Sequence, residues 1–388
     1  MKICDCVKDS IWYDPRVMKQ VEEYLRNGIE LVCVGVKDFR FQAEEVAKIP
    51  CNVMLANVDT KLYSAKRTFF DKIYREVMTN IELYRLMRKT KADIIHANDL
   101  NALVPAYFAA RKIGAKLIYD THEIFIENPW MDRHKVVKFI WSVIERFLIK
   151  KVDLIVCVSH AAATYLSKRY GIPLPMVVTN CISESTVNGL NLHEKRNVFE
   201  VLNHGQFYGG RGYDVMIRAA EYLKGYPDIE LVLRGFGSME NELRELKQQM
   251  NADNVRFEPP VKVYEMIPYA AASSVGLAIT ESISLNFELS VSNKLFEYAA
   301  AGLPVIMSNI PEHRYLNEKY DFGIVLKDNQ PETLAKAIVT LFEDRDMYQR
   351  YTSNVRRLSQ EITWEKQFGV LLAYENEVVA RPRESKPQ

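Results

Sequence analysis

A lysine and a glutamate three residues apart, Lys294 and Glu297, form the pair in this chain best suited to chemistry. Ser292 precedes them as a good N-cap, and Gly302 and Pro304 follow as a helix stop, so a short helix is predicted between. A cation in the first turn is unfavourable because it opposes the helix dipole. A phosphate bound at that end of the helix would explain the presence of the lysine. Glu297 shares that face one turn deeper, where it can accept hydrogen bonds from sugar hydroxyls. A plain surface ion pair is the alternative interpretation.

A glycine-rich loop follows the strand predicted over 198–202. Such a loop lets the backbone approach a ligand closely. Arg211 within it can donate a fork of hydrogen bonds to a diphosphate. The spacing departs from G-x-G-x-x-G, which argues against a nicotinamide cofactor, and a plain turn with a solvated arginine remains the alternative. The loop glycines are Gly205, Gly209, Gly210 and Gly212.

A second glycine turn, Arg234-Gly235-Phe236-Gly237, ends the strand predicted over 230–233. Ligands of doubly wound sheets bind outside the carboxyl ends of the strands. This turn, Arg211 and the helix that starts at Ser292-Asn293 would all lie at that edge. We therefore predict that Arg211 and Lys294 gather around one pyrophosphate.

The N-terminal half contributes three polar segments, each where a strand ends or a helix begins. Asp14 before Pro15 is typical of a helix N-cap. His96 fits a satisfied histidine at a strand end better than a site residue. His122 has the stronger case for function, because Asp120 and Glu123 flank it and can fix its tautomer. The segments are Asp14-Pro15-Arg16, His96-Ala97-Asn98-Asp99 and Asp120-Thr121-His122-Glu123.

Short apolar strands alternate with amphipathic helices along nearly the whole chain, which predicts an α/β protein with parallel sheets covered on both faces. The polar stretch 183–196 is the best boundary, so we expect two doubly wound, Rossmann-like domains over 1–185 and 190–363. The helix predicted over 364–380 is expected to cross back onto the first domain. Residues 381–388 are predicted to form a frayed tail.

Composition limits the class of protein. The chain has 388 residues, 48% of them hydrophobic and 26% charged, which excludes a disordered or fibrous protein. The net charge of +1 gives no sign of nucleic acid as a partner. Residues 1–182, however, hold 28 Lys and Arg against 21 Asp and Glu, and the remainder holds 23 against 29. The first half is therefore basic and the second acidic.

The cysteines and the apolar runs predict a cytoplasmic protein without a metal site. Cys4, Cys33 and Cys157 lie in apolar strand-like runs, as buried thiols of a reducing compartment do. The single C-x-C at Cys4 and Cys6 has no partner pair with zinc-site spacing. The charged N-terminus does not resemble a signal peptide, and no run of residues is long and apolar enough for a membrane span.

A predicted helix over 135–150 interleaves basic and apolar residues, a pattern that can rest on an anionic membrane surface. We expect weak, salt-sensitive membrane contact, so the protein would lie at the inner face of a membrane. An ordinary core-facing helix with solvated lysines is the alternative.

Taken in order, these motifs resemble those of the family-4 retaining glycosyltransferases, also called group 1, which have the two-domain GT-B fold. The resemblance runs over roughly residues 1–380. The matching elements are Asp14-Pro15-Arg16-Val17, His96–Asp99, Asp120–Glu123, Val158-Ser159, the loop 205–212, Arg234–Gly237 and the segment from Asn293 to Pro304.

The resemblance implies transfer of a sugar from a nucleotide-diphosphate donor, most simply a UDP- or GDP-sugar, with retention of configuration. The donor would bind the C-terminal domain, and a glycan, lipid-linked or small-molecule acceptor would bind the N-terminal one across a cleft. Arg211 and Lys294 match positions near the diphosphate, Glu297 matches the carboxylate on the ribose, and His122 matches a histidine facing the donor sugar. The other predicted donor-side residues are Gly205, Gly209, Gly210, Arg234, Gly235, Gly237, Ser292 and Asn293, and the predicted acceptor-side residues are Asp14, Arg16, His96 and Asp99.

This chain departs from the family pattern near the sugar. Leu289 stands where many members have a second glutamate, which leaves Glu281 and Glu288 as open alternatives. Gln206 stands where many have an arginine, so Arg211 is expected to carry more of the phosphate charge. Cations and helix N–H groups can stabilise the leaving diphosphate, so we predict no metal and no cofactor beyond the donor. The single D-x-D, Asp344-Arg345-Asp346, is predicted to cap a helix.

Two other functions fit the same residues. A nucleotide-sugar epimerase on this fold would need no acceptor. A non-catalytic partner subunit would be expected to lack Lys294 or Glu297, and this chain has both.

Overall fold

The computed structural model describes residues 1–38, 41–57 and 69–381, which leaves the predicted tail beyond residue 381 outside the described residues. The chain forms two compact units. The N-terminal unit comprises Met1–Thr179 and the chain from Gln367 onward, and the C-terminal unit comprises Asn180–Lys366.

The N-terminal unit is built on a parallel sheet, which in the described residues has seven strands in the order β3-β2-β1-β4-β5-β6-β7. Its strands are β1 (Lys2–Val7), β2 (Glu30–Lys37), β3 (Asn52–Asn57), β4 (Ile94–Asn98), β5 (Lys116–Thr121), β6 (Leu154–Cys157) and β7 (Met176–Val177). Its helices are α1 (Pro15–Arg26), α2 (Ala43–Ala47), α3 (Phe69–Thr90), α4 (Leu100–Ile113), α5 (Pro129–Arg133), α6 (Lys135–Leu148) and α7 (His160–Tyr170).

The C-terminal unit has a parallel six-stranded sheet in the order β10-β9-β8-β11-β12-β13. Its strands are β8 (Phe199–Gln206), β9 (Ile229–Phe236), β10 (Val255–Glu258), β11 (Val275–Ala278), β12 (Val305–Met307) and β13 (Gly323–Val325). The remaining helices are α8 (Glu184–Asn188), α9 (Tyr213–Ala219), α10 (Glu240–Gln249), α11 (Met266–Ala271), α12 (Leu285–Leu289), α13 (Asn293–Ala300), α14 (Pro311–Tyr320), α15 (Pro331–Glu343), α16 (Arg345–Glu361) and α17 (Trp364–Ala380).

Helices cover both faces of each sheet, so the strands read as continuous apolar runs rather than as alternating ones. Strand β2, for example, is buried from Leu31 to Val36. The thiols of Cys4, Cys33 and Cys157 are fully buried in these strands, as predicted.

Each sheet reverses its strand order once, between β1 and β4 in the first unit and between β8 and β11 in the second. At such a switch point the two following loops leave toward opposite faces, and a crevice opens at the carboxyl ends of the strands. The two switch points are therefore where ligands are expected.

The last helix, α17, returns to the first unit, as the sequence predicts. The Phe368 ring packs edge-on against Tyr24 with centroids 4.8 Å apart, and the Tyr24 hydroxyl donates to Glu375 at 2.6 Å. Residues 180–196 belong to the second unit, because the amides of His193 and Arg196 donate to carbonyls of Pro268 and Ala272. The division therefore falls a few residues before the position 185 expected from sequence.

Candidate functional site

Lys294 lies at the start of α13, beside the carboxyl end of β8. Its ammonium donates to the Asn203 side-chain oxygen at 2.5 Å and lies 5.0 Å from the centre of the Tyr213 ring. A Cβ placed on Gly205 would lie 3.6 Å from the Lys294 Cε and 3.3 Å from the Tyr213 hydroxyl. The lysine is therefore held directly against the glycine-rich loop.

Burial and, secondarily, the positive charge of Arg211 lower the pKa of Lys294, which Glu297 partly offsets, to about 7. A cation kept in so unfavourable a position is characteristic of a functional site rather than of a stabilising contact. Ser292 occupies the N-cap position of α13, yet its hydroxyl caps none of the described first-turn amides. The start of this helix thus combines amide donors with a lysine that an anion would stabilise.

Arg211 sits between two aromatic rings of the same edge. Its guanidinium lies 5.1 Å from the Tyr208 ring centre and 5.0 Å from that of Phe287, and it donates to the Tyr208 hydroxyl at 2.7 Å. The Asn203 amide donates to the Arg211 backbone carbonyl at 3.3 Å, so Asn203 contacts both cationic residues. The structure therefore brings Arg211 and Lys294 together.

Gly235 is required by the close approach of β8 to β9, and Gly205 by its positive φ. Gly205 and Gly235 are register partners with φ of +126° and +154°, and a Cβ on Gly235 would lie 1.8 Å from the Gly205 carbonyl oxygen. No side chain fits there. The turn at Gly235 thus has a packing reason that sequence reasoning did not supply, besides any role beside a nucleotide.

Glu297 lies one helical turn beyond Lys294 and pairs with a histidine that sequence reasoning did not select. His204 Nε2 is 2.7 Å from Glu297 Oε2, and the His204 ring stacks on Tyr298 with centroids 4.7 Å apart. This support fixes the glutamate, whose side chain is 17% exposed and so remains accessible to a ligand.

Sequence reasoning also missed Asn203 and Tyr213 as site residues. Asn203 and His204 were assigned to the loop, whereas β8 continues through Gln206 and fixes their side chains within the strand. The available signal was position alone: polar residues at the carboxyl end of an otherwise apolar parallel strand are unusual.

The other predicted donor-side residues are placed less uniformly. Arg234 is 3% exposed and paired with Glu258, with its guanidinium 5.1 Å from the Tyr269 ring centre. Asn293 is exposed at the first turn of α13. Of the two alternative glutamates, Glu281 lies at the glycine-rich loop, where its amide donates to the Gly210 carbonyl, whereas Glu288 belongs to α12.

In the N-terminal unit, Arg16 forms a buried ion pair with Asp120 next to the β1–β4 switch point. Its Nη2 lies 3.0 and 2.9 Å from the two carboxylate oxygens, and its Nη1 donates to the Val178 carbonyl at 2.8 Å. The pair is almost inaccessible, with side chains 3% and 0% exposed. Arg16, predicted on the acceptor side, is thus placed to support the site and not to reach a ligand.

His96 is likewise enclosed. Its Nε2 lies 3.4 Å from Asp120, and its Nδ1 lies 3.0 Å from the Tyr24 hydroxyl and 3.2 Å from Glu375. Burial alone would lower its pKa, but hydrogen bonds to Asp120 and Glu375 raise the pKa of His96 to about 10. This fits the satisfied strand-end histidine that was one of the two interpretations of the sequence.

His122 follows β5 and is surrounded by carboxylates, among them the predicted Asp120, whose Oδ2 lies 3.8 Å from the His122 Nε2. Its Nδ1 lies 3.4 Å from Asp14 and 3.8 Å from Asp99, and its Nε2 lies 3.0 Å from the Asn98 side-chain oxygen. Burial opposes protonation, yet Asp99 and Asp14 raise the pKa of His122 above its usual value. The expected flanking carboxylate Glu123 instead accepts from Asn128 at 3.1 Å.

Asp14 and Asp99 also shape the backbone around His122. Asp14 caps α1 as expected, since its side chain accepts from the amides of Arg16 and Val17. Asp99 accepts from the His122 amide at 2.9 Å, with a positive φ of 65°. Both acceptor-side candidates therefore border His122.

No group of three His, Cys, Asp or Glu side chains among the described residues is arranged to hold a metal ion. The D-x-D segment caps a helix, as predicted, because Asp344 accepts from the Met347 amide at 2.9 Å at the start of α16.

Known proteins match both units. The N-terminal half, residues 16–185, matches the model of "Glycosyltransferase Family 4", and residues 188–358 match "Glycosyl transferases group 1". A galactosyltransferase of Escherichia coli, named as acting on α-D-GlcNAc-diphosphoundecaprenol with UDP-Gal, is 23% identical over 70% of this chain and 72% of its own length. An uncharacterized glycosyltransferase of Haemophilus influenzae is 24% identical, and the match spans only 58% of that relative's length.

Solved structures agree with the fold. A glycosyltransferase of Rickettsia africae superposes with a TM-score of 0.74 at 15% identity, over 98% of this chain and 99% of that one. Anabaena HepE, solved with UDP, superposes with a TM-score of 0.71 at 17% identity, over 96% of this chain and 100% of that one. Two Rossmann-like units with these neighbours define a two-domain GT-B protein. The chain belongs to the group 1 glycosyltransferases, with an N-terminal part of the family-4 type.

Proposed function

We propose that this protein is a retaining glycosyltransferase that moves a sugar from a nucleotide-diphosphate donor to an acceptor glycan. The observation that carries the proposal is the gathering of Lys294, Arg211 and Glu297 at one switch point of the C-terminal unit. A diphosphate bound at the start of α13 would meet an ammonium, a guanidinium and helix amides together. Glu297, fixed by His204, would hold the ribose hydroxyls.

The chemistry follows from the charge that develops when the sugar–phosphate bond breaks. Negative charge grows on the departing diphosphate, and preorganised cations and N–H donors lower the barrier most when they are aimed at that charge. In this proposal, Lys294 and Arg211 supply the positive charge that stabilises the departing diphosphate, without a metal ion. His122, held by Asp14 and Asn98, is the proposed contact to the donor sugar from the N-terminal unit.

For the donor base and the acceptor, the relatives support one choice over the others. The E. coli relative is named for a UDP-sugar and a lipid-linked acceptor, and HepE was solved with UDP. We therefore propose a UDP-sugar as donor and a lipid-linked glycan of polysaccharide biosynthesis as acceptor, with the protein in the cytoplasm at the membrane face.

A thermal-shift screen against UDP-, GDP-, ADP- and TDP-sugars, run in the presence of EDTA, tests this function. We expect a UDP-sugar to raise the melting temperature most, because ligand binding to the native state stabilises it by mass action. A shift that appeared only after Mg²⁺ or Mn²⁺ was added would contradict metal-free binding. Conversion of the donor to a free epimer without acceptor would favour the epimerase, and no shift with any donor would favour the non-catalytic subunit.

Donor affinity is expected to fall as the pH rises through about 7. The pKa of Lys294 in the free protein is about 7, and a bound diphosphate stabilises the ammonium, so binding takes up a proton. Each pH unit above that value should lower the affinity by up to about tenfold, whereas below about pH 6 the affinity should level off. Calorimetric titration with UDP-glucose measures this, because the donor diphosphate does not itself titrate near neutral pH.

The matched control for the pH profile is Lys294→Arg. A guanidinium stays charged throughout that range, so its profile should be flat even if its affinity is lower. Equal slopes for the two proteins would show that another group titrates on binding.

A further inference from the structure

Helix α6 exposes a stripe of large apolar side chains. Val136 is 73% exposed and Phe139 69%, and the stripe continues through Ile140, Val143 and Phe147, each more than half exposed. Their spacing of three and four residues places them on one side of the helix. A contiguous exposed apolar surface of this kind marks an interaction site.

The same helix also buries a separate stripe. Leu148 is buried against the unit, and the Trp141 ring packs edge-on against Phe125 with centroids 5.3 Å apart. An ordinary core-facing helix, the alternative interpretation of its sequence, accounts for this buried stripe only. It leaves the outer one unexplained.

Every charge that α6 and its ends present to solvent between Arg133 and Lys151 is positive. The one acidic residue in that range, Glu145, is buried and accepts hydrogen bonds from Tyr119 and Tyr170. The exposed cations are Arg133, Lys135, Arg146, Lys150 and Lys151. This combination of apolar stripe and basic flanks complements an anionic lipid surface better than it does a protein partner.

An apolar groove lies beside this stripe, between α3, α4 and α6. It has a volume of about 1000 Å³, and Val77, Tyr84, Val104 and Phe108 are among the residues that line it. Phe147 belongs both to the groove and to the exposed stripe of α6. Arg111 and Lys112 are the cations of its lining. The groove has the size and polarity of a site for a hydrocarbon chain.

We propose that the exposed face of α3, α4 and α6 docks on an anionic bilayer, and that the groove takes up the hydrocarbon chain of one phosphate-bearing lipid. The stripe of α6 would enter the interfacial region of the membrane, and Arg111 and Lys112 would meet the lipid phosphate. No described helix is long and apolar enough to cross a membrane, so this contact lies on the bilayer surface. The proposal stands apart from sugar transfer, since binding is measured without donor.

Co-sedimentation of the full chain with vesicles tests the docking face. We expect binding to vesicles with about 30% phosphatidylglycerol, little binding to neutral vesicles, and a loss of at least tenfold between about 50 and about 500 mM salt. Val136→Gln with Phe139→Gln should weaken binding about tenfold or more, and Lys150→Gln with Lys151→Gln should weaken only binding to anionic vesicles.

Matched controls separate this face from general surface effects. Leu174→Gln with Tyr222→Gln removes apolar side chains that are 63% and 53% exposed elsewhere, and Lys224→Gln with Lys336→Gln removes exposed charges of the C-terminal unit. Both control proteins should bind vesicles as the parent does. Equal losses in the controls, or binding that salt does not affect, would overturn the docking proposal. The docking proposal would also be overturned if the protein formed a concentration-dependent dimer and bound no vesicles, and if Val136→Gln with Phe139→Gln dissociated that dimer.

Native mass spectrometry with a short-chain phosphatidylglycerol tests the groove separately. We expect one retained lipid per chain, and Val104→Phe, which fills the groove from α4, should remove it while vesicle binding changes less than threefold. The substituted residue is partly buried, and an unchanged melting temperature shows that the variant is folded. Lipid retained equally by both proteins would overturn the groove assignment.

Discussion

Replacement of Lys294 by alanine is expected to abolish stabilisation by the donor and to lower kcat by about 10²–10³-fold. The ammonium belongs to a half-buried lysine at the start of α13, and it lies against both Asn203 and the loop glycine Gly205. Without it, the diphosphate loses the cation whose attraction to the leaving group strengthens most as the sugar–phosphate bond breaks. Initial-rate measurements and the thermal-shift assay on the same protein check the two effects together.

Lys195 provides the matched control in the same unit. Its pKa is likewise lowered, to about 8, by desolvation of the ammonium and by the charge of Arg356, but it is an exposed residue that donates to the Ser273 carbonyl near the amino end of β11, the opposite edge of the sheet. Lys195→Ala should therefore change stability without changing the donor-induced shift. If both variants lost the shift to the same degree, Lys294 would be acting through folding and not through the diphosphate.

The architecture was largely predictable because both sheets are parallel and buried. Their central strands are continuous apolar runs separated by helical segments, so the alternation of strand and helix can be predicted from the sequence. Strands β3 (Asn52–Asn57) and β13 (Gly323–Val325) are harder to predict. Both lie at sheet edges, where a strand is only partly covered and its apolar run is short or interrupted.

The site was predictable as far as residue type and strand position determine it. The Lys294–Glu297 spacing identified the right helix, and the glycines identified the right loop. The contacts of Asn203 and His204 were not predictable, because they depend on β8 extending to Gln206. Four further residues, three of them with polar side chains, continue that strand past the apolar run, and pairing with β9 keeps them extended.

The N-terminal half shows the opposite limit. Charged residues at strand ends suggested ligand contacts, but sequence does not reveal which charges will satisfy one another. Arg16 and Asp120 are 104 residues apart and meet only because β5 lies two strands away from β1. Burial depends on how the whole unit packs. Because Arg16 is enclosed, it can support the site but cannot contact a ligand.

Substitution of Asp120 by asparagine is expected to destabilise the N-terminal unit by about 3–5 kcal/mol, because it leaves the Arg16 guanidinium buried without a counter-charge. The same carboxylate accepts from Gln20 at 2.8 Å and lies next to His96, so the substitution disturbs these contacts as well. Guanidinium-induced unfolding measures the loss. The exposed pair Glu332–Lys336 is the control, since Lys336→Met should leave the unfolding midpoint nearly unchanged.

The double variant Arg16→Met with Asp120→Leu decides between support and substrate contact. Removing both charges together avoids an unpaired buried ion, so the double variant should be more stable than either single variant. If Arg16 only supports the site, this protein should regain stability and keep an acceptor KM within a few-fold of the parent. The opposite outcome would be a protein that regains stability but has an acceptor KM raised by orders of magnitude. That result would show that the Arg16 guanidinium binds the acceptor directly, and it would contradict the enclosed position of Arg16 in the structure.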